Sequence, residues 1–452
     1  MFIEQHGKEL KFAIENSLSE ETIDQIAKHT GFTQRVRKLP AWSFVNTLMF
    51  SACNQANTSL PDISADLHQQ FAIDISKEAL HKKFTPQGVG FLKELIKLQL
   101  SQQFTLANDD GLKKHFASIN IKDSSKFSLH TTYNDSYPGY GNFSKTNGLM
   151  NLKYEYDLLS GRWDSIALTS CKTNDQQNSK ETIEQISKAG LYIRDLGYIT
   201  PTYLKAVIKK EAFFLNRLPS QISIYNFKKE QINWSSIDRK LNKTGVNVLD
   251  INALIYKKDM LACRLIIERV TDEEYKKRLN KARNSAKSHK VSLSKNHKIR
   301  CRYNTFITNV ERKILPAEKI RKTYYLRWQI ELVFKTWKSF FEINKVKKVK
   351  KERMECQLLA QFLWILLNWS LFNACNRYVS KQNSGKGISV LKFFKRCISF
   401  SFTLRQVILK QNNIERWLKT VFLPLIENTA CEAKWKKQTH YEIIYALSTP
   451  LS

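Results

Sequence analysis

The chain has 452 residues, with 73 Lys or Arg against 41 Asp or Glu and a formal charge of +32. That length allows two to four domains and a sizeable core, and so large an excess of one sign disfavours a compact state unless a polyanion offsets it. Nucleic acid is the leading partner, because neutralised phosphates release counterions; an anionic membrane is the weaker reading, without a lipidation motif or amphipathic anchor. The opening MFIEQHGKEL has no apolar centre and does not read as a secretory signal. Eight cysteines without a CxxC pair argue for reduced thiols, and against structural zinc or a disulfide scaffold.

Residues 1–110 read as helical, with breaks near Gly31, Pro40, Pro61 and Pro86. Two segments have helix-turn-helix character, Ser19–Phe32 and Ser59–Phe84, although generic helical packing reads at least as well for each. The second helix of the latter starts near Ser76 and carries His81, Lys82 and Lys83, the candidate DNA contacts of this region. From His115 the period changes. Phe116, Ile119 and Ile121 lead into Asp123, read as a strand ending at a carboxylate and a Ser-rich loop. The loop Tyr137–Phe143 has two glycines and no following helix, so it is not a phosphate cradle.

Two strand-like runs, Leu149–Tyr156 and Arg162–Thr169, joined by LLSG, suggest a hairpin. Asp175 opens a helical stretch that Gly190 ends, and LYIRDLGY then reads as a buried strand finishing at Asp195. A helix follows from Thr200 and Pro201, and Ala212–Leu218 supplies another strand. This order of strand, hairpin, helix and strand, with an aspartate after the first and last, resembles that of an RNase H-like core.

Residues 219–302 form an excursion with further strands and a tract, Lys276–Arg302, of eleven Lys or Arg and no acid. A solvated face is the plain reading of such a tract. A DNA-backbone track, including Lys287 and Lys290, is the reading preferred here. Tyr303–Asn309 reads as a strand returning to the core. The run Cys356–Ala374 is apolar but contains Gln357, Gln361, Asn368 and Asn373, and reads as a buried helix rather than a membrane span.

Pro316–Phe341 has no internal Gly or Pro and reads as one helix opened by Pro316 and Glu318. At about 100° per residue, Tyr324, Arg327, Glu331 and Lys338 fall within about 60° on its wheel, beside an apolar arc of Leu326, Ile330, Val333, Trp337 and Phe340. An amphipathic helix with ordinary ion pairs would look similar. The spacing Tyr-x2-Arg-x3-Glu-x6-Lys, however, resembles the YREK signature of cut-and-paste insertion-sequence transposases with an RNase H-like DDE core. DSSKF after Asp123 and the D-x-G-Y form at Asp195 also resemble that family's motifs. The likeness spans roughly residues 115–345.

The resemblance implies a particular division of labour. Asp123, Asp195 and Glu331 would be the catalytic, metal-binding carboxylates, while Tyr324, Arg327 and Lys338 would grip DNA phosphates. All-oxygen ligation favours two Mg²⁺ ions, or Mn²⁺ in their place, which could activate a water or 3′-hydroxyl for in-line attack on a phosphodiester. The fold expected is α/β, an RNase H-like mixed β-sheet catalytic core with a β-rich insertion, flanked by helical N- and C-terminal domains.

The corresponding segments are a DNA-end-binding region (1–110), the first part of the core (111–218), the basic insertion (219–302), the Glu-bearing second part (303–345) and a helical C-terminal region for dimerisation or DNA contact (346–452). Partners implied are double-stranded DNA, as transposon ends and target, and a second copy of the chain, with no membrane. The compartment implied is the bacterial cytoplasm, at the nucleoid. A catalytically inactive DNA-binding repressor of the same fold, and a nuclease without strand transfer, are the alternative readings. Trp234, Tyr256 and Tyr303 are the candidates for an aromatic that stacks on a flipped base, while Trp328 reads as packing.

Overall fold

The computed structural model describes Lys11 and residues 19–35, 38–51, 58–103, 114–139, 147–172, 182–382 and 387–426. Among the described residues, five N-terminal helices come first: α1 (Glu20–His29), α2 (Ala41–Ser51), α3 (Leu60–Phe71), α4 (Lys77–His81) and α5 (Pro86–Ser101). Pro61 and Pro86 do not interrupt helices but start them. Each sits in a first turn, where a missing N–H costs nothing, behind an N-cap hydroxyl from Ser59 or Thr85. The helix after Ser76 is shorter than the sequence suggests. It closes at His81, and Lys82 and Lys83 lie in the turn beyond it.

A single nine-stranded sheet carries the middle of the chain, in the order β3-β2-β1-β4-β5-β9-β8-β7-β6. Its strands are β1 (Ser118–Leu129), β2 (Gly148–Asp157), β3 (Trp163–Ser170), β4 (Gly190–Arg194), β5 (Phe213–Arg217), β6 (Ile224–Tyr225), β7 (Val248–Ile255), β8 (Leu261–Arg269) and β9 (Tyr303–Thr308). β1 runs parallel to β4, and β4 to β5, while every other neighbouring pair is antiparallel. The expected hairpin is β2–β3. Its turn is docked by Trp369 and Asn373, which both donate to the carbonyl of Gly161, a residue at φ +68°.

Two expectations are corrected here. β1 does not end at Asp123. It continues to Leu129 because β2 pairs with it over the whole stretch, from Asn120↔Asp157 to Leu129↔Gly148. The 316–341 helix is also not one regular helix. α10 (Ala317–Tyr325) and α11 (Gln329–Ser339) flank a tightened 3₁₀ turn at Leu326–Trp328. In addition, Asp175 and much of its expected helix lie outside the described residues, and Ile183–Gln185 is one 3₁₀ turn.

The sheet is covered on both sides. Along β1, Ile119 and Ile121 point into a large core shared with α1–α5, with Leu326, Ile330, Val333 and Trp337 of the 316–341 segment, and with α12 (Lys351–Gln382) and α13 (Val390–Ile408). Phe340 is only partly buried, and Phe341 takes the inner place. Alternate residues of the neighbouring strands, such as Tyr192, Phe214, Leu265 and Ile307, pack on the other side against α6 (Pro201–Lys209) and α7 (Trp234–Thr244).

α12 is the one helix among the described residues long and apolar enough to cross a membrane, and nearly all of that stretch is buried inside the protein. Its polar residues have internal partners: Gln361 donates to Phe341 O at 3.0 Å and Asn368 to Trp364 O at 2.9 Å. The N- and C-terminal helices are joined by Arg405, whose guanidinium forks onto both carboxylate oxygens of Asp66 at 2.7 Å and reaches Asn46 at 2.8 Å.

Candidate active site

The geometry of the site begins with strand register. Lys122 stands opposite Arg194 in the parallel pair β1–β4, so the next residue of each strand, Asp123 and Asp195, comes level on the other side of the sheet. Asp123 is mid-strand and Asp195 follows the last residue of β4. Against that side lie α10 and α11, seated by Trp337 and Phe334 on the Tyr154 ring of β2 at centroid distances of 4.9 and 6.1 Å.

The helical residues singled out by their spacing all reach toward these strands. Arg327 donates from one terminal nitrogen to Asp123 and from the other to Glu331, each at 2.8 Å. The Tyr324 hydroxyl donates to Asp195 at 3.2 Å, and Lys338 Nζ donates to Lys126 O on β1 at 2.8 Å. Two of the three carboxylates are thus held by one guanidinium and the third by the neighbouring phenol. The 3₁₀ turn leaves the shared face intact, because its backbone stays in the right-handed helical region.

Charge in this pocket is costly. Burial pushes the Asp123 carboxyl up to about 6, against the pull of Arg327 and the Ser124 N–H, with Asp195 and Glu331 adding to the rise. Burial first, then the Asp195 charge, lifts the Tyr324 phenol above its usual range. Burial draws the Arg327 guanidinium down, but Tyr324, Asp123, Asp195 and Glu331 together outweigh it and raise it. Burial also lowers the Lys338 ammonium.

These residues suit a hard divalent cation in donor chemistry. All three offer only carboxylate oxygen, and their mutual repulsion already draws a cationic side chain between them. Among the described residues, however, no three His, Cys, Asp or Glu side chains stand close enough to share an ion.

The chain matches the family model described as "Transposase DDE domain" over residues 114–367, more than half its length. The chain belongs to the DDE transposases. It is 29% identical over 449 residues to the transposase for insertion sequence element IS231F of Bacillus thuringiensis subsp. israelensis, covering 95% of this chain and 94% of that one. It is 30% identical over 436 residues to the transposase for IS1151 of Clostridium perfringens, covering 92% of each. The protein is therefore a DNA transposase, an enzyme that acts on DNA and depends on divalent metal.

Other sequence candidates in this transposase lie apart from the site. Lys82 is exposed, and Lys83 lies over the Phe32 ring at 5.4 Å. Lys287 and Lys290 are exposed at the end of α8 (Asp272–Ser288), a helix with no buried residue. The basic tract is not one uniform face. Arg278 turns inward to Tyr303 O and Asn304, Arg300 covers the Trp234 ring at 4.6 Å, and Arg302 covers Tyr275 at 4.6 Å.

Of the aromatic candidates for base stacking, Trp234 and Tyr303 are buried, with 6% and 3% of their surface exposed, so packing accounts for both. Tyr256 is partly covered, its hydroxyl 3.4 Å from Ile199 O. Trp328, by contrast, is 37% exposed and stands beside Tyr325, rings 5.9 Å apart. Sequence reasoning also passed over Lys122, Glu155 and Arg194, a buried charged group directly behind the two aspartates. The signal was present in KYEYD, a charge between two strand tyrosines.

Proposed function

We propose that this transposase moves an insertion sequence by cut-and-paste: metal-dependent phosphodiester hydrolysis at terminal inverted repeats, followed by strand transfer to target DNA. The observation that carries the reading is Arg327 bridging Asp123 and Glu331 while its helix neighbour Tyr324 holds Asp195. Asp123, Asp195 and Glu331 would hold two Mg²⁺ ions, or Mn²⁺ in their place. Bound there, the ions supply activation of a water or 3′-hydroxyl and stabilisation of the departing oxygen.

The chain's own contribution is positioning. Arg327, freed from its carboxylate partners, has a planar fork suited to two oxygens of one phosphate, and Lys338 offers a point charge further along the helix. Tyr324 holds the Asp195 carboxylate in orientation through its hydroxyl. Backbone affinity outside the site is assigned to Lys287 and Lys290 in the 219–302 excursion, and to Lys82 and Lys83 in the N-terminal region (1–110). The core comprises 111–218 and 303–345, and the C-terminal region (346–452) is assigned to pairing two copies on two ends. The protein would act in the cytoplasm, at the nucleoid.

The test is excision from a plasmid of a marker flanked by the element's own ends. Wild type is expected to excise, and Glu331→Gln to bind the ends without cutting. Undiminished excision by Glu331→Gln sinks the assignment of the third carboxylate. Fragments without joining to a target plasmid would replace the transfer reading with a nuclease.

A further inference from the structure

Behind the two aspartates, on the opposite side of the sheet, three charged side chains are packed together out of water. Glu155 of β2 accepts from Arg194 of β4 at 2.6 Å and lies 3.3 Å from Lys122 Nζ of β1, and none of the three side chains is more than 3% exposed. They occupy three adjacent strands at one level, Lys122 being opposite Glu155 on one flank and Arg194 on the other. The next residues after the two cations are Asp123 and Asp195.

Three further features aim this group. Arg194 is enclosed by the rings of Tyr203, Tyr192 and Tyr198, at 4.8, 5.6 and 5.9 Å, which holds its guanidinium where Glu155 can meet it. The tyrosine of D-x-G-Y thus packs behind the aspartate it follows. The β2–β3 pairing shifts register beside Glu155, from Glu155↔Ser165 to Tyr156↔Trp163, which leaves Asp164 of β3 as the extra residue next to the group. Asn216 on β5 donates to the Arg194 carbonyl at 2.9 Å, fixing the backbone immediately before Asp195.

Apolar residues could fill this space with less desolvation. What charge adds is a single permitted register. Sliding β1 by one residue against β2 and β4 would take Lys122 away from Glu155 and turn Asp123 to the wrong side of the sheet. We infer that Glu155, with Lys122 and Arg194, is a positioning device that sets the spacing of Asp123 and Asp195 for divalent-metal capture. This rests on the assignment of those two aspartates as metal ligands.

The test measures Mn²⁺ binding to the full chain by the paramagnetic resonance of the free ion, alongside thermal melting and binding to duplex end DNA. Glu155→Gln is expected to weaken Mn²⁺ binding by about tenfold or more, as supporting residues of metal sites do, with end binding within about twofold of wild type. Because Glu155→Gln leaves buried cations unpaired, a second variant, K122M/E155L/R194M, removes all three charges. It is expected to melt near wild type yet still bind Mn²⁺ about tenfold more weakly.

Recovery of both melting and Mn²⁺ affinity in the triple variant would overturn the inference, reducing the group to structural filler. So would failure of both variants to fold, since a group needed for folding as such sets no spacing. Asp195→Asn separates the underlying assignment. If it leaves Mn²⁺ affinity unchanged, the metal-site reading fails. If it abolishes binding while Glu155→Gln and the triple variant bind as wild type, the positioning inference alone fails.

Discussion

The two sides of the central sheet are built from alternate residues of the same strands, yet they are made of different material. On one side Ile119, Ile121 and Ile193 lie in an apolar core with Trp337, Trp364 and Trp369, and Asp123 meets Arg327 at its margin. On the other, Tyr192, Phe214 and Leu265 pack against α6 and α7, but behind β1 and β2 Asn120, Lys122, Lys153, Glu155 and Asp157 are buried although polar or charged. The first side packs a helix against the strands with non-directional contacts that tolerate small adjustment. The second uses directional, charge-assisted bonds that accept one arrangement. The candidate carboxylate Asp123 stands on the first side, and the residue before it, Lys122, is packed with Glu155 on the second.

The largest effect that would sharpen this contrast is chemical. Asp123→Asn should lower end cleavage by roughly a thousandfold or more while leaving end binding intact, as measured on labelled duplex ends. Near-wild-type cleavage would mean that the reacting side lies elsewhere. Next is packing. Trp337 is fully buried against Tyr154 and Phe362, so Trp337→Ala should cost about 3–5 kcal/mol in denaturant unfolding. A loss below ~1 kcal/mol would show that the helix is not anchored by this core.

A smaller effect probes the other side. Asp164 on β3 accepts from Asn120 at 2.6 Å, and burial, then Glu155 and Asp157, push its carboxyl up to about 7. The folded chain therefore retains a proton that the unfolded chain loses near the ordinary carboxyl value of 3.8. Stability from this group is full below that value and declines as pH rises through about 7. Asp164→Asn should remove the decline and gain ~2 kcal/mol at pH 8, after allowance for partial exposure. Parallel melting curves for wild type and variant from pH 5 to 8 would contradict it.

Smallest in stability is the exposed basic helix. Lys287→Glu with Lys290→Glu should leave melting unchanged but weaken duplex binding and flatten its salt dependence. The expected change in slope is about 0.9 for each phosphate that is no longer neutralised. An unaltered salt slope would remove these two lysines from the DNA path.

Much of the site was legible because its parts are local. The Tyr-Arg-Glu-Lys spacing lies within one helical segment, and each aspartate follows a hydrophobic strand pattern. The errors came where partners distant in sequence decide. Ser124 and Ser125 look like loop residues, but pairing with Lys153 and Leu152 keeps them in the strand. Lys82 and Lys83 look helical, but α4 closes before them. Trp234 looks available for stacking, whereas Arg300, many residues later, lies over it. The Lys122–Glu155–Arg194 group depends on three strands meeting in register, and no local pattern announces that. The continuation of the core sheet through β9, β8, β7 and β6 has the same origin.

That continuation bears on how such a protein can change over generations. The chain leaves the core after β5 and returns on β9, which pairs with β5 through Leu215↔Thr308 and Arg217↔Phe306. Asn309 fastens the return, accepting from Phe214 N and donating to Ala212 O, both at 2.8 Å. Departure and return are thus neighbours in space, while Arg264 of β8 ties the excursion to the approach to the glutamate helix by donating to Leu315 O at 2.6 Å. A lineage that lengthens, trims or re-charges the chain at the exposed end of α8, a helix that buries no residue, leaves both that junction and the Arg264 tie in place.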